Sequence, residues 1–225
     1  MKSDLSSGFL WCAGFLGISA LVSWMILQAI RPASENLWLI AIPSVSGAIV
    51  TSFFYYLARK KLPWTIENAS GLDLRSALGI PAVGLGLFAL GQTSPEPAWP
   101  MRDGIDLIAA FISMVVLGPV SEEIFFRGLL LNEMRRTNFS IWAGAALFAV
   151  SHLNPGVLLF AFASGLVLGK VVQWSGTVLA PILIHSISNF LTVLTWSGWL
   201  VPPGAMAIAA LVLAGSCGLL VLRRT

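Results

Sequence analysis

The stretch Gly104–Met134, GIDLIAAFISMVVLGPVSEEIFFRGLLLNEM, decides the fold. Residues 104–120 form an apolar run with Asp106 as its one charged residue, and the helical pattern continues to about residue 134. Apolar runs of this kind span a bilayer as helices, because backbone groups in lipid must find their hydrogen bonds within the segment. The same stretch carries Glu122, Glu123 and Arg127. Charges at that depth cost at least about 2.5 kcal/mol each and usually face a bundle interior or cavity, where they mark function.

Outward from this stretch the pattern repeats. Eight apolar segments are expected, at roughly 9–30, 37–58, 76–92, 104–120 with its continuation, 140–153, 156–173, 176–195 and 203–222. Breakers separate them: Arg31-Pro32, Arg59-Lys60-Lys61 with Pro63, Ser94-Pro95-Glu96-Pro97, Asn154-Pro155 and Pro202-Pro203. Trp38, Trp64, Trp99, Trp142, Trp174, Trp196 and Trp199 stand near segment ends, as an aromatic belt does. Hydrophobic residues make up 57% of the 225 and charged residues only 10%, against about 25% charged in soluble domains. The alternating segments of about ten residues that mark a membrane barrel are absent. The expectation is an all-α, multi-pass integral membrane bundle of about eight transmembrane helices, one domain over residues 1–225.

Charge sets the expected orientation. With eight spans, Lys2, Arg59, Lys60, Lys61, Arg75, Arg135, Arg136, Lys170, Arg223 and Arg224 fall on one side, and only Arg31 and Arg102 on the other. By the positive-inside rule both termini are cytoplasmic, and the expected location is the plasma membrane. The first segment is too long for a signal-peptide core and reads as a span. Residues 62–75 mix apolar and charged side chains and are expected to lie along the cytoplasmic interface. The net charge of +3 gives no hint of nucleic acid. Cys12 and Cys217 lack a CxxC spacing and read as packing residues.

Three polar clusters stand out. In the first, Glu123 and Arg127 are four apart on a helix and form an ion pair, while Glu122 points about 100° away as a free carboxylate. In the second, Phe148 precedes His152 by one turn and orients its imidazole. The third puts His185 and Asn189 on one face of the seventh segment. At 1.5 Å per residue Glu122 lies about 21 Å from Arg136, His152 within about 24 Å of the same point, and His185 about 16 Å from Trp174. All three clusters reach into the membrane and can meet at one cavity. A carboxylate and an imidazole sharing a water make a general base, and a second histidine with an amide supplies donors for an oxyanion. That set suits attack of water on an amide carbonyl. Neither GxSxG nor HExxH is present.

At these residues the chain resembles the CAAX prenyl endopeptidases and bacteriocin-processing enzymes, the Abi or CPBP family of glutamate-type intramembrane proteases. The family signature is EExxxR, then FxxxH, then HxxxN or HxxxD on successive transmembrane helices. Here it reads Glu122-Glu123 with Arg127, Phe148 with His152, and His185 with Asn189, within a motif-bearing core at 104–195. The resemblance implies that Glu122 and His152 activate the hydrolytic water and that His185 and Asn189 stabilise the oxyanion. It implies supporting roles for Glu123, Arg127 and Phe148, and no requirement for a metal. The implied substrate is a protein or peptide in the bilayer, prenylated or carrying a C-terminal sorting signal.

Other readings stand beside this one. Two Glu and two His are acceptable ligands for zinc or manganese, as in a metal-dependent hydrolase. The same cavity in an immunity factor, scaffold or carrier would serve binding alone. A proton-coupled transporter would use intramembrane Glu and His as a relay, but the inverted repeats expected of one are missing. Asn189 also suits interhelical hydrogen bonding, and Ser151, Ser186 and Ser188 read as helix contacts.

Overall fold

The computed structural model describes residues 5–29, 35–58, 72–93, 104–134 and 139–222. Leu74 and Arg75 of the expected interfacial segment instead open the helix Leu74–Gly91. Most of that segment (62–71) and most of the basic residues used for sidedness, including the Arg59-Lys60-Lys61 cluster, Arg135, Arg136 and the terminal arginines, lie outside the described residues. Within them the chain forms eight helical rods and no strand: α1 Leu5–Ala29, α2 Glu35–Ala58, α3 Leu74–Gly91, α4 Gly104–Met134, α5 Ser140–Ser151, α6 Leu158–Ser175, α7 Leu179–Trp196 and α8 Ala205–Leu222. Each expected segment is present with ends shifted by only a few residues. Helices α3, α4, α6, α7 and α8 are long and apolar enough to cross a membrane. Helix α5, with 12 residues, rises only about 18 Å.

The bundle is apolar on its outside as well as in its core, and its interior also encloses a set of polar and charged side chains. Leu10, Trp24, Ile49, Phe53, Leu78, Ile108, Leu159, Met206 and Leu220 are exposed, while Ser46, Thr51, Ser113, Ser121, Glu123 and Arg127 are buried. An apolar coat of this extent is stable only against lipid. The protein is an integral membrane protein.

Without a hydrophobic drive between helices in lipid, close packing requires small residues at the crossings. Helices α3 and α8 meet where a Cβ on Gly86 would stand 2.8 Å from Gly215 Cα. Helix α6 approaches α5 as closely, a Cβ on Gly165 falling 2.8 Å from Ala145 Cα. Rings fill the wider gaps. Phe15 of α1 stacks on Phe125 of α4 with centroids 3.9 Å apart. Cys12 is buried in the same cluster, as a packing residue should be. Cys217 is instead exposed on the outer face of α8.

Local chemistry sets the helix ends. Asp73 Oδ1 accepts from Ser76 N at 3.0 Å and caps α3. Gly176, with φ 71°, ends α6 in the left-handed conformation that glycine adopts without cost. Helix α5 ends with Leu153 at φ 52°, a strained position for a side chain with a Cβ, and this strain falls next to His152.

Candidate active site

Helix α4 carries the first motif and is not a plain α-helix. Phe111–Leu117 and Ile124–Leu130 are wound as π-helix, with the pair Glu122-Glu123 on the α-helical piece between them. Such segments are uncommon and concentrate at functional sites. The sequence predicts a kink at Gly118-Pro119, and the break in helical register falls at these residues. Neighbouring side chains pin the backbone here. Thr51 Oγ1 on α2 donates to Ser121 O at 3.2 Å, and Ser121 Oγ donates to Gly118 O at 3.0 Å. A Cβ on Gly118 would lie 2.9 Å from Ser113 O, so glycine lets the backbone of this turn close up.

The two glutamates separate as the spacing predicts. Glu122 is half-buried and lines the cavity. Glu123 is fully buried beneath it. Arg127 Nη1 donates to Glu123 Oε1 at 3.1 Å, with only 3% of the arginine exposed. The sequence did not foretell a second partner. His185 Nδ1 lies 2.9 Å from the same Glu123 oxygen. Glu123 therefore joins the first motif on α4 to the third on α7, and a charge that would be costly alone is shared by three groups.

Phe148 organises both histidines. Its ring meets His152 edge-on at 4.8 Å and His185 at 6.1 Å between centroids. The Arg127 guanidinium lies 4.2 Å from its centroid, a cation–π contact in a desolvated place. Phe148 O also receives His152 Nδ1 at 2.8 Å. A carbonyl only accepts, so Nδ1 carries the hydrogen and a neutral His152 keeps the Nε2 lone pair free. His152 is the exposed C-cap of the short helix α5 rather than a mid-helix residue. The same reasoning holds for His185: Nδ1–H donates to the Glu123 carboxylate, leaving Nε2 available. Asn189, one turn on, donates one amide hydrogen to Met114 O at 2.8 Å.

Glu122, His152, His185 and Asn189, together with Phe148, line one cavity of about 440 Å³. Leu87, Phe160, Leu168 and Trp196 supply apolar wall, and Ser113, Ser164, Ser188 and Thr192 add hydroxyls. Ser164 is 5% exposed, and its Oγ finds no partner among the described residues. It was not singled out from the sequence, because a lone serine in an apolar helix gives no signal. Among the described residues no three His, Cys, Asp or Glu side chains converge as a metal-ligand set.

The helical bundle thus gathers a carboxylate, two imidazoles and an amide around one cavity. Residues 104–191, less than half of the chain, match the family described as type II CAAX prenyl endopeptidase, Rce1-like. The chain is also similar to an Escherichia coli protein described as an uncharacterized 24.3 kDa protein, 32% identical over 116 residues, which cover 45% of this chain and 54% of the relative. The chain thus spans about half the length of that curated relative. No solved structure matches it.

Proposed function

We propose that the protein is an intramembrane endopeptidase that hydrolyses a peptide bond of a membrane-associated protein or peptide with a water activated by Glu122 and His152. The observation that carries this reading is the gathering of Glu122, His152, His185 and Asn189 on one cavity from three separate helices. Glu122 and the free Nε2 of His152 take a proton from water as its oxygen attacks the scissile carbonyl carbon. The carbonyl π electrons move onto oxygen, and this oxyanion receives hydrogen bonds from His185 Nε2 and the Asn189 amide. For that role His185 carries a second proton, and the buried Glu123 carboxylate is its counter-ion. Collapse of the intermediate breaks the C–N bond, and the proton held by the Glu122–His152 pair passes to the leaving nitrogen.

Glu123, Arg127 and Phe148 are read as supporting residues that hold the histidines. No metal takes part in this scheme. The substrate class is a protein or peptide prenylated at a C-terminal cysteine or bearing a C-terminal sorting signal, with the apolar wall taking its lipid-like portion. The proposed setting is the plasma membrane, with both termini in the cytoplasm. The test is cleavage of prenylated and sorting-signal peptides by the purified chain in liposomes. Glu122→Ala, His152→Ala and His185→Ala should each lose at least about a hundredfold in rate. Variants as fast as wild type overturn the mechanism, and loss of cleavage in excess chelator overturns its metal-free form.

A further inference from the structure

Pro119 and Asn189 lie on different helices, and one backbone carbonyl connects them. Phe111–Leu117 is wound as π-helix, the register in which an N–H bonds the carbonyl five residues back. In that register Gly118 N–H bonds Ser113 O. The donor due to Met114 O is the N–H of residue 119. That residue is proline and has none. Met114 O is left without a helical donor inside an apolar bundle, where an unpaired carbonyl is costly. Asn189 Nδ2 supplies the missing hydrogen bond at 2.8 Å. Gly118 keeps the register tight, since a Cβ there would fall 2.9 Å from Ser113 O.

A carboxamide has two N–H donors on one rigid plane. Committing one of them to a fixed carbonyl fixes the plane and leaves the second for the cavity that Asn189 lines. We propose that Pro119 is a positioning residue: by withholding an N–H from Met114 O it reserves that carbonyl for Asn189 and holds the amide where the oxyanion forms. This rests on the hydrolytic reading above. A proline that only bends α4 would instead act on the whole bundle and leave the Asn189 amide indifferent to it.

Pro119→Ala restores an N–H that competes for Met114 O. The first readout does not depend on catalysis: the side-chain amide signals of ¹⁵N-asparagine-labelled full-length protein in detergent, with Asn189→Ala identifying the Asn189 pair. The bonded proton of Asn189 should resonate downfield in wild type and move upfield in Pro119→Ala. An unchanged pair overturns the proposal. The second readout is cleavage. Pro119→Ala should lower kcat about tenfold or more with KM within about twofold, and Pro119→Ala/Asn189→Ala should be no slower than Asn189→Ala alone. An unaltered kcat, or losses that multiply in the double variant, overturns it. If wild type cleaves no substrate, the hydrolytic reading fails and the amide signals still decide the Pro119–Asn189 coupling.

Discussion

Adjacent glutamates in one helix have opposite fates here, and their difference is testable residue by residue. Glu123 is fully buried and holds both Arg127 and His185. Glu123→Ala leaves Arg127 as an uncompensated buried charge and should lower stability by about 3–5 kcal/mol. Glu122 lines the cavity, so Glu122→Gln should unfold at the wild-type temperature while losing cleavage. Thermal unfolding in detergent, run beside the peptidase assay, checks the contrast. Equal destabilisation by both would contradict the division of roles. That division was legible in the sequence because a spacing of four sets Arg127 on the face of Glu123. The bond from Glu123 to His185 was not legible, since it joins residues 62 apart on helices whose rotation only packing fixes. Phe148 was legible as a support for His152 alone. Its contacts with Arg127 and His185 come from three helices meeting at one ring.

The helices are held at their crossings by missing side chains. Gly86→Leu would drive a side chain into the Gly215 backbone. Backbone cannot yield as a rotamer can, so this substitution should cost about 1–3 kcal/mol. Gly17→Ala on α1 meets nothing within 4 Å and should be neutral or stabilising, by up to about 1 kcal/mol from helix propensity. Thermal unfolding of the pair separates crossing glycines from incidental ones, and equal effects would refute the assignment. The eight helices themselves were legible, because apolar length and the Pro- and Gly-marked breaks are local features. The π-helical stretches of α4 were not, since their shift of register leaves composition unchanged. Pro119 marked the break between them, but its effect on Met114 O depends on Asn189 of α7, far away in sequence. The sequence pattern places His152 within an apolar segment, whereas α5 stops one residue before it. The left-handed Leu153 that ends this helix is a position where sequence statistics favour glycine.

At the scale of the whole molecule, an apolar coat surrounds a buried charged centre, and the eight described helices form an even set. The proposed cytoplasmic placement of both ends takes all eight helices as crossings and rests on the ten-to-two distribution of basic residues in the sequence. A reporter fused after Thr225 should therefore read as cytoplasmic, and an extracytoplasmic signal would overturn this orientation. Class and membrane placement were legible from composition alone. The cavity was foreseen only as a meeting of three motifs, because its volume and its hydroxyl-bearing walls depend on how α3, α6 and α7 pack. The central claim is that this cavity hydrolyses peptide bonds through Glu122. Its most direct test follows cleavage of prenylated and sorting-signal peptides in liposomes by wild type and Glu122→Gln at matched amounts of folded protein. The account predicts cleavage by wild type and at least about a hundredfold loss in the variant; equal rates for the two would contradict it.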